Sequence, residues 1–243
     1  MRRVVVYPDA ATVATATAAR LLTELTDLLA HQERADVVLT GGTVGIATLR
    51  EAATSPIAAA VDWTAVHLWW GDERFVPAGN SDRNEGQAQD AFIAHLPIPE
   101  ENVHRVAASD ALESPEEAAA AYVAELEAAG NPAFDVLMLG MGPDGHVASL
   151  FPGHPVFTEA LEAASGIPSA VAVHDSPKPP PTRVSLSLET INRAKKVWIV
   201  AAGAEKADAV ARGLHGDAGL PAAAVAGTEQ TLWLLDVAAA ARA

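Results

Sequence analysis

The stretch Phe134-Asp-Val-Leu-Met-Leu-Gly-Met-Gly-Pro-Asp-Gly-His146 says most about how this chain folds. Its first half is apolar at consecutive positions, which is typical of a strand buried on both faces of a parallel sheet. Its second half is a turn that holds glycines, a carboxylate and an imidazole. Because ligands of open α/β sheets lie beyond the carboxyl ends of the strands, we expect chemistry at Asp144 and His146.

Similar short apolar runs occur along the whole chain and alternate with alanine-rich stretches of helical period. This alternation predicts an α/β fold with a mostly parallel sheet covered by helices. One helix is predicted over 11–31, where leucines form a stripe, and another follows Ser114-Pro-Glu-Glu and ends near Gly130. The predicted strands are 4–7, 37–40, 65–70, 135–140, 170–174, 183–188, 197–201 and 231–235.

Composition narrows the classes of function. The chain has 243 residues, 50% of them hydrophobic, and we expect one domain over 1–243. The formal net charge of -15 argues against nucleic acid or an anionic membrane as a partner, because both bind basic surfaces. The lack of cysteine excludes disulfides and thiolate catalysis. No run reaches the roughly 20 apolar residues of a membrane span, so we expect a soluble cytoplasmic protein, monomeric or weakly dimeric, with a small-molecule substrate.

Two loops at the ends of predicted strands carry polar groups with two interpretations each. In Thr40-Gly-Gly-Thr-Val-Gly45, the glycines precede a helix, so Gly42 and Thr43 either bind a phosphate or only form a tight turn. In Gly71-Asp-Glu-Arg74, Asp72, Glu73 and Arg74 either orient water or hold an anion through the arginine, or they form a structural ion pair within the turn. The sequence does not assign a role to Glu73.

The turn at Asp144 and His146 is the best candidate for a general base. An imidazole titrates near pH 6.5 when unperturbed, so it can take a proton from water if a neighbour fixes its tautomer, and Asp144 is the nearest such neighbour. The other histidines are scattered, which disfavours a metal site. The alternative is a histidine that is merely bonded into its loop.

Two basic residues follow in the last third of the chain. Lys206 comes just after the predicted strand 197–201 and would lie at the carboxyl edge of a parallel sheet, although a solvated surface lysine is the ordinary alternative. Arg183 begins the strand 183–188 after the proline-rich segment 176–182, which we interpret as a stiff loop. Arg183 can reach the same edge only if its strand runs antiparallel or has a short lead-in.

Taken in order, five motifs resemble the 6-phosphogluconolactonase family over almost the whole chain. They are Leu39-Thr-Gly-Gly-Thr43, Gly71-Asp-Glu-Arg74, Gly140-Met-Gly-Pro-Asp-Gly-His146 with Ala148-Ser-Leu-Phe-Pro-Gly153, Pro179-Pro-Pro-Thr-Arg183 and Gly203-Ala-Glu-Lys206. The resemblance implies a three-layer α/β/α sandwich around a mainly parallel, Rossmann-like sheet, a fold shared with glucosamine-6-phosphate deaminase. It also implies hydrolysis of 6-phospho-D-glucono-1,5-lactone in the oxidative pentose phosphate pathway, without a metal or an organic cofactor.

The resemblance implies a role for each site residue. His146 would act as the general base and Asp144 would support it. The 6-phosphate would be held by Gly42, Thr43, Arg183 and Lys206. Arg74 would make a further anion contact, and Asp72 would help to order the pocket.

Two alternatives remain at this stage. The first is isomerisation or deamination of an amino-sugar phosphate on the same fold, which the segment 147–152 disfavours because it lacks the glutamate that deaminases carry after the loop histidine. The second is a non-catalytic sugar-phosphate sensor, which would not need a base beside its ligand. The lack of a Gly-x-Ser-x-Gly elbow disfavours a serine esterase.

Overall fold

The computed structural model describes residues 1–163 and 166–243. Its strands are β1 (Arg2–Tyr7), β2 (Ala35–Leu39), β3 (Val66–Trp70), β4 (Asp72–Arg74), β5 (Val136–Gly140), β6 (Ala170–Val173), β7 (Arg183–Leu186), β8 (Lys196–Ala201) and β9 (Gln230–Asp236). Its α-helices are α1 (Ala10–Leu29), α2 (Thr43–Thr54), α3 (Asn84–Ala91), α4 (Pro115–Ala128), α5 (Pro155–Glu162), α6 (Leu188–Arg193), α7 (Ala207–Leu214) and α8 (Pro221–Ala224). Short 3₁₀ turns lie between several of them.

The main sheet has six parallel strands in the order β1-β9-β8-β5-β2-β3. It contains six of the eight predicted strands, with ends shifted by no more than a few residues. Alternate side chains of the sheet enter two separate apolar clusters, so that Trp69 packs on one face and Trp70 on the other. The strands are therefore buried on both faces, which confirms the predicted sandwich of helices around a mainly parallel sheet.

A second, smaller sheet was not predicted. It has three antiparallel strands in the order β4-β7-β6, and it includes the other two predicted strands. The chain passes from the main sheet into this one at Gly71, between β3 and β4. Arg183 is therefore the first residue of an antiparallel strand and lies directly opposite Arg74. This strand direction satisfies the condition under which Arg183 can reach the carboxyl edge of the main sheet.

The helices begin where the sequence provides capping groups. The Asp9 carboxylate accepts the backbone N–H of Thr12 at the start of α1, and the Ser114 hydroxyl accepts that of Glu117 at the start of α4. Pro115 occupies the first turn of α4, where a missing N–H costs nothing. Both predicted helices are confirmed. Across residues 1–163 and 166–243, none of the helices combines the length and the apolar character needed to span a bilayer.

Candidate active site

A cavity of about 260 Å³ opens at the carboxyl ends of β2 and β5, beside the junction of the two sheets. Seven of the eight predicted site residues line it, and the eighth, Asp144, touches the ring of His146. The sequence therefore predicted residues that the fold brings together. The full lining is Thr40, Gly41, Gly42, Thr43, Asp72, Arg74, Asn84, Gly140, Met141, Gly142, His146, Ala148, Lys178, Arg183 and Lys206.

The turn after β5 places the imidazole. The Gly142 N–H donates to the His146 carbonyl at 3.0 Å, and Gly145 takes a φ of +84° that favours glycine. The ring of His146 lies directly over Gly142, where a Cβ would approach Nδ1 to 2.0 Å. Only a glycine at this position leaves room for the ring.

His146 and Asp144 form a close pair, with 2.6 Å between Nδ1 and Oδ1. A carboxylate only accepts hydrogen bonds, so Nδ1 is the donor and Nε2 keeps a free lone pair. Partial burial alone would raise the pKa of the Asp144 carboxyl, but the hydrogen bond from His146, the charge of that ring when it is protonated and the Lys178 ammonium outweigh it. The net pKa lies well below its ordinary value, so Asp144 is ionised at neutral pH. The pair has the arrangement of a general base and its orienting carboxylate.

Lys178 is a site residue that the sequence argument missed. Its Nζ lies 3.3 Å from Nδ1 of His146 and 3.4 Å from Oδ1 of Asp144, and the side chain lines the cavity. It belongs to the proline-rich segment 176–182, which the sequence identified only as a stiff connection to Arg183. The sequence did contain a signal for it, since Lys178 stands among four prolines in the loop directly before the strand that begins with Arg183.

Arg183 is only 4% exposed, and its guanidinium faces the backbone of that loop. Its Nε donates to the carbonyl of Pro180, and its Nη2 donates to those of Lys178 and Pro179. The remaining nitrogen, Nη1, lies 3.7 Å from the Asp72 carboxylate. Most of its donors are therefore occupied within the protein.

Asp72 and Arg74 lie on β4, at the wall of the cavity. The Asp72 carboxylate accepts the hydroxyl of Ser149 at 2.6 Å, which links β4 to the segment after His146. Arg74 donates through Nη1 to Asn84, a lining residue that the sequence argument also missed. Within the described part of the chain, the buried Nε of Arg74 has no hydrogen-bond partner. Such a donor can serve a bound anion.

Glu73 lies between them but points into the protein. It is 1% exposed and accepts the backbone N–H groups of Arg74, Asn84 and Glu85. Burial raises the pKa of its carboxyl to about 7, against the opposing effects of Arg83 and of these three hydrogen bonds. Glu73 is absent from the cavity lining, so its contacts are those of a residue that fixes the turn.

The other end of the cavity is formed by the glycine loop and by Lys206. Gly42 has a φ of +81° and precedes α2 without a side-chain cap, so the first N–H groups of this helix are free for an anion. An adjoining pocket of about 160 Å³ is lined by this helix start and by Lys206, but not by His146 or Lys178. Burial lowers the pKa of the Lys206 amine, and Glu205 partly opposes the effect.

The charges in the cavity oppose those of the whole chain. Four cations, Arg74, Lys178, Arg183 and Lys206, line a cavity in a protein whose net charge is -15. Such a local cationic cluster favours an anionic ligand. In the described residues, no group of three or more His, Asp or Glu side chains is arranged to hold a metal ion.

Comparison with known proteins shows which family the chain is similar to. The family model described as glucosamine-6-phosphate isomerases/6-phosphogluconolactonase matches residues 8–233. The chain is 47% identical to a 6-phosphogluconolactonase of Streptomyces coelicolor, over 99% of this chain and 94% of the relative. A crystal structure of 6-phosphogluconolactonase from Thermotoga maritima has a TM-score of 0.84 at 28% identity, covering 97% of this chain and all of the other. A 6-phosphogluconolactonase structure from Trypanosoma brucei has a TM-score of 0.86 at 26% identity, covering 99% and 98%.

Proposed function

This chain belongs to the family of glucosamine-6-phosphate isomerases and 6-phosphogluconolactonases, and we propose that it is a lactonase within that family. The reaction is hydrolysis of 6-phospho-D-glucono-1,5-lactone to 6-phospho-D-gluconate, a step of the oxidative pentose phosphate pathway. The observation that carries the proposal is the His146–Asp144 pair, whose free Nε2 belongs to a ring lining a cationic cavity. The names of the similar proteins support the same substrate.

The chemistry needs only a base, a positioned water and stabilisation of negative charge. Nε2 of His146 takes a proton from water as the water oxygen bonds to the lactone carbonyl carbon C1, which produces an oxyanion. Asp144 stabilises the imidazolium that forms. The oxyanion then collapses, the bond from C1 to the ring oxygen breaks, and the imidazolium returns its proton to that oxygen. A lactone is an activated ester, so no covalent nucleophile is required.

The phosphate is proposed to bind at the opposite end of the cavity. The free N–H groups at the start of α2, the Thr43 side chain and the Lys206 ammonium offer donors of the kind that phosphates bind. Arg74 adds a guanidinium with an unpartnered Nε. Anchoring the phosphate there fixes the distance between C1 and the base, which is the main benefit of positioning in such a reaction.

The decisive experiment measures acid release from the lactone with wild type, with His146→Ala and without protein. The spontaneous reaction supplies the baseline, and we expect wild type to exceed it and the variant to fall towards it by 10²-fold or more, as is usual for loss of a general base. Lactone loss at the spontaneous rate with wild type present would reject the enzyme. Ammonia release from glucosamine-6-phosphate would identify the deaminase instead, and saturable binding of 6-phosphogluconate without turnover would identify a sensor.

The phosphate assignment has its own test in Lys206→Met. We expect this variant to raise KM for the phosphorylated lactone about tenfold or more while leaving KM for unphosphorylated gluconolactone unchanged, because only the first substrate carries the anion. Equal effects on both substrates would reject the assignment.

A further inference from the structure

We propose that Lys178 is a catalytic residue that stabilises the oxyanion formed at C1, and that Arg183 is the positioning residue that holds Lys178 in place. This inference rests on the proposed lactone hydrolysis. It assigns a role to the one cavity cation that the sequence did not single out. It also gives Arg183 a role other than phosphate binding.

The position of the Lys178 ammonium relative to the base supports the first part. Its Nζ is 3.3 Å from Nδ1 of His146 and 3.4 Å from Oδ1 of Asp144. Because Nδ1 donates its proton to Asp144, it cannot also accept one from the ammonium. Among the residues that the structure describes, Asp144 is then the only acceptor near Nζ, and the contact is long, so at least two of the three ammonium N–H groups are free for a ligand.

The attack places C1 beside the same imidazole ring that Lys178 contacts through Nδ1. A water that gives its proton to the imidazole lies about 2.8 Å from the ring nitrogen, and the carbon it attacks is roughly one bond length further on. The carbonyl oxygen of that carbon therefore develops its charge within a few ångströms of the ring that Lys178 touches. A donor fixed where charge develops lowers the barrier more than it strengthens substrate binding.

The two lysines of the cavity have different neighbours. Lys206 lines the adjoining pocket beside the start of α2, where Lys178, His146 and Arg183 are all absent. Lys178 contacts the base and its carboxylate. One lysine is thus placed for the phosphate and the other for the reacting carbonyl.

The loop that carries Lys178 is held by partly buried hydrogen bonds. Three donations from Arg183 reach the carbonyls of residues 178–180, and the Ser176 hydroxyl both donates to the Lys178 carbonyl and accepts its N–H. Prolines on both sides of Lys178 restrict the backbone further. With Nε and Nη2 committed to the loop, Arg183 controls where the ammonium of Lys178 lies.

The test compares Lys178→Met and Lys178→Arg with wild type, on the phosphorylated lactone and on unphosphorylated gluconolactone. We expect Lys178→Met to lower kcat by about 10²-fold on both substrates with little change in KM, as for the loss of an oxyanion donor. Lys178→Arg should recover part of kcat because it restores a cation. Lys195→Met is the matched control: this lysine is 38% exposed against 35% for Lys178 and is also paired with an aspartate, but it lies at the far end of the sheet. We expect its kcat to equal that of wild type.

Failure of this inference is distinguishable from failure of the proposed function. An inactive wild type would reject the function itself. An active wild type with an unchanged kcat in Lys178→Met would reject the role of Lys178 alone. A rise in KM restricted to the phosphorylated substrate would show that Lys178 is a phosphate ligand instead.

The role of Arg183 is tested by combining variants. If Arg183→Lys acts by releasing the loop, it lowers kcat, and the double variant with Lys178→Met is no slower than Lys178→Met alone. Effects that multiply would overturn the positioning role. Should Arg183→Lys fail to fold, Ser176→Ala loosens the same loop while keeping both cations. It should lower kcat with the same lack of additivity, and multiplied effects there would also overturn the proposal.

Discussion

Substitution of Gly142 by alanine would move the proposed catalytic base, His146, without changing any functional group. A Cβ at this position would lie 2.0 Å from Nδ1 of His146, 2.1 Å from its Cε1 and 2.4 Å from Oδ1 of Asp144. An ordinary contact is about 3.5 Å, so the ring must retreat by more than about 1 Å or leave its hydrogen bond. A misplacement of about 1 Å in a catalytic group can cost about 10²-fold in rate.

We therefore expect Gly142→Ala to lower kcat by about 10²-fold while the protein stays folded. Gly142 does not have a positive φ, so alanine fits its backbone, and both crowded side chains are partly exposed and can turn outward. Replacing glycine at a compatible site also restricts the unfolded chain, which favours folding by about 0.4–1 kcal/mol. The assay combines steady-state lactone hydrolysis with thermal unfolding, whose midpoint should change by only a few degrees.

Gly71→Ala is the matched control. Gly71 lies at the same edge of the main sheet and outside the cavity lining, and an added Cβ would meet Val38 at an ordinary 3.6 Å. Its kcat should stay within about twofold of wild type. If Gly142→Ala kept the wild-type kcat, the position of the His146 ring over this turn would have no bearing on catalysis, and the assignment of the base would be wrong.

Three further results follow from the same contacts. Asp144→Asn should lower kcat by 10²-fold or more, because an amide that donates to Nδ1 forces the proton onto Nε2; an unchanged acid-release rate would contradict the tautomer argument. Glu73→Gln should remove a pH dependence of the free energy of unfolding. The pKa of Glu73 is raised to about 7, so the folded protein binds the carboxyl proton more tightly than the unfolded chain does. The stability gained from this proton is fully present below about pH 4.5 and is lost as pH rises through 7, by roughly 3 kcal/mol. Urea unfolding at pH 5 and pH 8 measures that difference, and equal pH slopes for the two proteins would refute it. Finally, KM for the phosphorylated lactone should rise between about 0.05 and 0.5 M salt more than KM for gluconolactone, because salt screens the attraction of the phosphate to the cavity.

The main sheet could be predicted because strands that are buried on both faces are apolar at consecutive positions of the sequence. The run 135–140 is apolar at nearly every position, and β5 occupies Val136–Gly140 with packed clusters on either side. Strand β4 has no such apolar run. Its three residues are Asp72, Glu73 and Arg74, and they form a strand only because they pair with residues 183–185, more than 100 positions away. Strand propensity depends on such partners more than on the residues themselves.

The pairing of β4 with β7, which the sequence did not predict, also explains why Lys178 and Asn84 were not predicted as site residues. Lys178 lies 32 positions from His146 in the chain, and their contact exists because β7 runs antiparallel and returns its preceding loop to the turn after β5. Taken alone, a lysine in a loop is most often solvated. Asn84 likewise reaches Arg74 and Asp72 only through the small sheet. Asp72 and Arg74 could be predicted because they follow the end of a long parallel strand, whereas Lys178 and Asn84 depend on contacts of the small sheet and could not.

The small sheet also concentrates charge that is unfavourable without a ligand. Arg74 and Arg183 lie directly opposite each other on β4 and β7, and like charges in that position destabilise a strand pair. Asp72 offsets part of this repulsion, since its carboxylate lies 3.7 Å from Nη1 of Arg183. Lys178 and Lys206 add further positive charge to the same small cavity. The proposed anionic substrate would relieve this repulsion when it binds, and the oxyanion proposed at C1 would relieve it further beside Lys178. On the proposed mechanism, the positive charge gathered in this cavity of a protein of net charge -15 would stabilise the transition state more than the bound substrate.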